Sequence, residues 1–193
     1  MTNSSFVGIQ EHFRKSKTIN KFFIDEFPNF NSYIIPGFRE SGQDLGRPKA
    51  GLAQLSSKTI NIKKTRVQTK SFRIQAQVLQ IPTCVDTIAG TSKVLWINAY
   101  LPTDPGTVSF DDAELTEVLS EIEFILTNEI YDDLIWGGDL NWHRGRRTGF
   151  ADTMERFLNK LDLVSVWEHF TCSHTHVHTD LKSTSQIDHF IVK

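Results

Sequence analysis

The chain has 193 residues, 39% hydrophobic, 23% charged and 11% aromatic, which excludes a disordered protein and suits one globular domain with a sizeable core. Its net charge of −2 offers no global attraction for nucleic acid, so any such binding has to come from local basic patches. Two cysteines, Cys84 and Cys172, stand in no metal-ligand spacing and exclude a disulfide framework, while the absence of a signal-like start or of a run of about 18 apolar residues points to an intracellular protein with no membrane partner.

In chain order, the apolar run from Phe6 to Ile9 predicts a strand and leads straight into Gln10, Glu11 and His12. Residues 16–27 place Ile19, Phe22, Phe23 and Phe27 at helical spacing, with Ser16 as the cap and Pro28 as the stop. An extended piece at 33–35 is followed by a loop rich in glycine, residues 42–51, where Arg47 and Lys49 are either solvated charges or phosphate contacts. Period-two patterning then begins: GLAQL, a basic segment with Lys63, Lys64, Arg66 and Lys70, and Phe72, Ile74, Ala76 and Val78 alternating with polar residues. This predicts antiparallel strands. The basic residues either guard a sheet edge or track a phosphate backbone.

After a loop through Gly90, residues 94–101 (VLWINAYL) form a central strand ended by Pro102. Residues 111–130 carry Leu115, Val118, Leu119, Ile122, Ile125 and Leu126 on one face and predict an amphipathic helix. It feeds LIWGGDLNWH, residues 134–143, in which a strand ends in two glycines followed by Asp139 and Asn141 at alternate positions. Such oxygen donors suit a hard cation such as Mg2+, though the same residues also favour a plain polar turn. Arg144, Arg146 and Arg147 follow in a loop where they could contact a phosphate backbone. A further helix carries Met154, Phe157, Leu158 and Leu161, and alternation returns at 173–178 and 185–192. His174, His176 and His178 alternate there, either as surface histidines or as a zinc or copper face. Interspersed helices and antiparallel strands predict a layered α/β (α+β) arrangement of two sheets with helices outside.

Glu11, Asp139 and Asp188 each follow or lie within a short apolar strand. Gln10-Glu11, Tyr100-Leu101-Pro102, Gly138-Asp139-Leu140-Asn141 and Ser185-Gln186-Ile187-Asp188 come in the order found in the exonuclease–endonuclease–phosphatase superfamily, which the chain resembles over nearly its whole length. GRPKAGLA, FLNKLDLVSVW and the Thr175-His176 strand before SQIDHFIV are most similar to the endonuclease domains of non-LTR retrotransposons. The resemblance implies a four-layer sandwich of two mixed β-sheets flanked by helices, in one domain spanning residues 1–193. By the same resemblance Glu11 is the Mg2+ ligand, with Mn2+ as a substitute. Tyr100 hydrogen-bonds the scissile phosphate, Asp139 aligns or deprotonates the attacking water, Asn141 contacts the phosphate and holds that water, and Asp188 orients a catalytic histidine.

The implied activity is a metal-dependent DNA endonuclease, nuclear, within a polyprotein that also carries a reverse transcriptase. The alternatives are a phosphatase or phosphodiesterase of the same superfamily and an inactive fragment that only binds metal or nucleic acid. Against the family pattern the chain lacks a first strand bearing an asparagine and a final segment bearing Ser-Asp-His, so the resemblance implies a domain incomplete at both ends. His189 does not replace that histidine, because on a strand it faces away from Asp188.

Overall fold

A computed structural model describes residues 5–37, 50–85, 88–108, 112–170, 174–177 and 184–193. Arg47, Lys49, Cys172 and His178, singled out above, lie outside them. The first strand, β1 (Phe6–Ile9), leads to helix α1 (Ser16–Glu26), then to strands β2 (Phe30–Ile35) and β3 (Leu52–Ser57). Lys15, rather than Ser16, occupies the N-cap position of α1. Next come β4 (Lys63–Val67), β5 (Ile74–Val85) and β6 (Ile88–Tyr100), helix α2 (Ala113–Asn128), β7 (Asp133–Asp139) and helix α3 (Gly149–Lys160). The short pieces β8 (Val164–Ser165), β9 (His176–Val177) and β10 (Thr184–Ser185) precede β11 (Asp188–Val192).

The strands form two main sheets. One has the order β1-β3-β2, and the other β4-β5-β6-β7-β11-β8. The larger is mixed, because the α2 crossover returns β7 parallel to β6, while the smaller, as described, is antiparallel throughout. The expected loop through Gly90 is instead ladder: Gly90 pairs with Thr83 in a long β5–β6 hairpin. Here β-pairing on both sides of the turn overrides glycine's preference for irregular backbone.

Helices cover the outer faces. Leu115, Val118, Leu119, Ile122 and Ile125 of α2 repeat every three or four residues, so one stripe of the helix is buried. With Phe150, Ala151, Met154, Phe157 and Leu158 of α3, they pack on Ile74, Ala76, Leu95, Ile97 and Trp136 of the larger sheet. The start of α3 is fixed by Thr148, whose Oγ1 accepts from the Ala151 N–H at 3.1 Å. On the other side Ile19 and Phe23 of α1 bury against Ala53 and Leu55 of β3. The result is four layers, helix, sheet, sheet, helices.

Between the sheets the chemistry changes. Gln54, Ser56, Gln75, Gln77 and Asn98 are buried, and buried amides are tolerated only when hydrogen-bonded. Gln77 Nε2 donates to Gln54 Oε1 at 2.8 Å, and Gln54 Nε2 donates to the Trp96 carbonyl at 3.0 Å. Gln75 Nε2 donates to the Tyr33 carbonyl at 2.8 Å. The sheets are therefore joined through polar contacts as well as through the apolar patch of Leu79, Val94 and Trp96.

Candidate functional site

Strands β6, β7 and β11 end side by side. Tyr100 is the register partner of Asp139, and Asp139 is the partner of Asp188. Residues directly opposite on neighbouring strands share a face, so a phenol and two carboxylates form one row across three strands. The glycines before Asp139 permit the approach. A Cβ on Gly137 would lie 2.9 Å from the Phe190 ring, and one on Gly138, whose φ is +147°, would lie 1.9 Å from the Ala99 carbonyl oxygen. No side chain fits at Gly138 without moving backbone.

Glu11 reaches this row from the opposite sheet. Its carboxylate lies close enough to the Tyr100 phenol for its negative charge to add to burial in pushing the phenol pKa up. Glu11 and Phe13 both hold φ in the left-handed region, at +51° and +54°, which costs a residue with a side chain free energy and persists only where the surroundings enforce it. Here they do. The backbone N–H groups of His12 and Phe13 bond the carbonyls of Gly51 and Ala50. The His12 ring donates from Nε2 to the Ile35 carbonyl at 3.0 Å and accepts the Arg14 N–H on Nδ1 at 3.1 Å. Gly51 is the counterpart, since a Cβ there would fall 2.4 Å from that ring. Two residues before Tyr100 on β6, Asn98 Nδ2 donates to the carbonyls of Ile9 and Ala53, each at 3.2 Å, and its Oδ1 accepts from Gln10. Asn98 thus stitches the end of β1 to β6 just below Glu11 and Tyr100.

The site is electrostatically strained toward protonation. Burial pushes the Asp139 carboxyl up to about 7; the Asn141 N–H, bonded to its Oδ1 at 3.1 Å, opposes this, and the negative charges of Asp188 and Glu11 add to it. The Tyr100 hydroxyl is also raised, first by burial and then by Glu11. Asn141 sits at φ +49° and donates Nδ2 to the Leu101 carbonyl at 2.9 Å. That bond uses one of the two N–H groups of its amide.

The donor set, carboxylates and an amide oxygen without sulfur or imidazole, is that of a hard divalent cation. Glu11 stands near Tyr100, and among the described residues no three His, Cys, Asp or Glu side chains converge as a ready metal cage. The residues fit a cation bound by one or two carboxylates and water rather than a full protein shell.

Other residues singled out from the sequence fall elsewhere. Arg144 ion-pairs with Glu168 at 3.5 Å, and Arg146 and Arg147 are exposed on the turn before α3. His174 is exposed. His189 lies buried on the far side of the sheet, with Nε2 2.7 Å from the Trp142 carbonyl and Nδ1 3.3 Å from Ser165 Oγ. Three contributors were missed. Asn98 and His12 support Glu11, and the Arg73 guanidinium stands 5.2 Å from the Tyr100 ring while pairing with Glu114 at 2.8 Å. The alternation around Ile74 could have placed Arg73 beside the end of β6, because the Tyr100 N–H bonds the Arg73 carbonyl at 2.9 Å.

No family model and no curated protein matches the sequence. Solved structures do match the fold. An endonuclease/exonuclease/phosphatase family protein from Bacteroides thetaiotaomicron aligns with a TM-score of 0.58 at 17% identity, over 99% of this chain and 68% of its own. A mannosyl-6-phosphatase from the same organism aligns with a TM-score of 0.58 at 19% identity, over 98% and 71%. The endonuclease domain of TRAS1, a telomere-specific non-LTR retrotransposon, aligns with a TM-score of 0.51 at 15% identity, over 83% and 66%. The chain therefore has the fold of the endonuclease/exonuclease/phosphatase superfamily. At these identities the likeness concerns the fold, and the chemistry rests on the residues above.

Proposed function

We propose that the chain is a metal-dependent phosphodiester hydrolase acting on DNA, of the retrotransposon endonuclease type, working in the nucleus within a polyprotein that also bears a reverse transcriptase. The observation that carries the reading is the row Tyr100, Asp139, Asp188, with Glu11 brought onto Tyr100 from the other sheet. Hydrolysis of a phosphodiester needs a positioned water, a group to take its proton and stabilisation of charge on the phosphoryl oxygens. Asp139, poised near 7, takes the proton of the attacking water. Asn141 holds that water and one phosphate oxygen through its remaining donor and acceptor. Tyr100 donates its hydroxyl to another phosphate oxygen, and Asp188 holds the charge pattern beside Asp139. Mg2+ or Mn2+, held through Glu11, would supply Lewis-acid polarisation of the phosphate. The arginines at 144, 146 and 147 contact the DNA backbone on either side.

Incubation of the chain with supercoiled plasmid and Mg2+, beside Asp139→Ala, tests this. Nicking by the wild type and at least a hundredfold less by the variant is expected. Equal nicking by both rejects the proposal. A second reading, a phosphatase acting on small phosphoesters, is favoured by the fold likeness to a mannosyl-6-phosphatase. Phosphate release from sugar phosphates without nicking selects it.

A further inference from the structure

At the edge of the sandwich remote from the acidic row, strands β2 and β4 face each other across a cavity of about 380 Å3 lined by Asn31, Tyr33, Ser56, Lys64, Arg66 and Gln77 among others. On β4 the pleat turns Lys64 and Arg66 toward the other sheet, since their register partners Leu79 and Gln77 lie on the inner face. Lys64 Nζ donates to Ser56 Oγ. The Arg66 guanidinium lies 4.4 Å from the centre of the Tyr33 ring, a cation–π contact. Among the described residues no acidic side chain lines the cavity, and neither cation has a carboxylate partner. Burial holds the Lys64 ammonium below its usual pKa.

An inward lysine alone is a known guard of an edge strand. What exceeds that role is the opposite wall. The smaller sheet presents Asn31, Tyr33 and Ser56 to the two cations, all neutral hydrogen-bonding groups, so the mouth has a uniform positive sign and several donors. Its volume is in the range of small-ligand sites. From Asp139 it is roughly 20 Å by strand spacing and rise, with the buried amide layer between. We infer that this mouth is a second binding site, separate from the acidic row, that takes a phosphate group between Lys64 and Arg66 with Ser56 and Asn31 as further partners. The phosphate is either that of a small phosphomonoester or one of a nucleic-acid backbone. Binding here is independent of the activity proposed above.

The test is an NMR titration of the full chain in EDTA, so that metal-mediated binding at the acidic row does not enter, with inorganic phosphate, glycerol 3-phosphate and a short single-stranded oligonucleotide as probes. Saturable shifts confined to Asn31, Ser56, Lys64, Arg66 and Gln77 are expected. Arg66→Gln and Lys64→Gln should each weaken phosphate binding about tenfold, the order expected of one charge-assisted contact, whereas Lys64→Arg should largely retain it. Arg66 is exposed, so its variant carries the test even if Lys64→Gln does not fold. No saturable shift, or shifts unchanged in Arg66→Gln, overturns the inference. If the double variant Lys64→Gln, Arg66→Gln flattens the salt dependence of oligonucleotide binding by roughly 0.7 in log–log slope for each cation removed, the ligand is a backbone phosphate. If it weakens glycerol 3-phosphate and leaves the oligonucleotide unchanged, the ligand is a small phosphoester.

Discussion

The Glu11 carboxylate, just past the first strand of one sheet, lies close enough to the Tyr100 phenol, at the end of the central strand of the other, for its charge to add to burial in pushing the phenol pKa up. The two groups belong to different layers, so the site exists only when the sandwich is closed. Removing either partner should therefore separate two roles. Tyr100→Phe is expected to lower nicking by ten- to a hundredfold with an unchanged Mg2+ midpoint, since it deletes a donor to the phosphate. Glu11→Gln should instead raise the Mg2+ midpoint at least tenfold. Identical metal dependence of the two variants would contradict the assignment of Glu11 as the cation ligand.

Asn98 supports that closure from below. Its amide bonds the backbone of both β1 and β3 and receives Gln10. Asn98→Leu strips the carbonyls of Ile9 and Ala53 and the Gln10 amide of their partner, each at a cost of about 1–3 kcal/mol. A loss of about 2–4 kcal/mol in urea unfolding at unchanged slope is expected, together with a weakened Mg2+ midpoint because Glu11 loses its anchor. A stability loss with an unaltered midpoint would limit Asn98 to a structural role.

How much of this was visible in the sequence depends on the kind of residue. The places of Asp139, Asn141 and Asp188 were legible because the first ends an apolar strand, the second follows it by two residues and the third opens another. The row they make was not, because register depends on pairings between β6, β7 and β11 that no local pattern encodes. Alternation around Ile74 and Ala76 correctly gave a strand, but it could not reveal that Gln75 and Gln77 are 0% and 4% exposed. A polar stripe looks the same whether it meets water or a second polar sheet. His12 carried no structural signal, since its partner Gly51 is distant in sequence and has no side chain to mark the contact.

Gly138 offers a sharp backbone test. With φ at +147° and a Cβ that would overlap the Ala99 carbonyl, Gly138→Ala must break the β6–β7 register or shift β7. A loss of more than about 3 kcal/mol is expected. Gly106→Ala is the control: its φ is also positive, at +76°, but nothing lies within 4 Å of the added Cβ, so only about 1 kcal/mol is expected. Thermal melts of the two variants decide, and equal losses would place the whole effect in backbone conformation rather than in the contact with Ala99.

Asp139 gives a prediction in which function and stability oppose each other. Its folded pKa, about 7, stands above the ordinary 3.8, so the native state holds a proton that the unfolded chain has released. In the metal-free protein this group favours folding at low pH; the contribution is lost as pH rises from about 4 to about 7. Asp139→Asn should therefore abolish nicking yet stabilise the metal-free chain at pH 8 by about 2–4 kcal/mol, a gain that shrinks to near zero at pH 4. Urea midpoints in EDTA at the two pH values measure it. A variant less stable than wild type at pH 8 would show that the carboxylate is not held at a cost.

Two imidazoles, one half-buried and one buried, pull the other way. Burial lowers the pKa of His12 and of His189, so each is neutral when folded, and the stability they hold is present above about 6.5 and lost as pH falls below it. In the wild type this loss is masked by Asp139, which gains its proton over part of the same range. In an Asp139→Asn background the mask is gone, and stability is expected to fall on acidification from pH 7 to pH 5. His12→Gln in that background should flatten part of the fall, leaving the share of His189. The local consequence lies next to the site, because a protonated His12 can no longer accept the Arg14 N–H on Nδ1, and the backbone bend that presents Glu11 loses a support. Stability measured across this range in the single and double variants checks it, and a slope unchanged by His12→Gln would assign the whole acid response to His189.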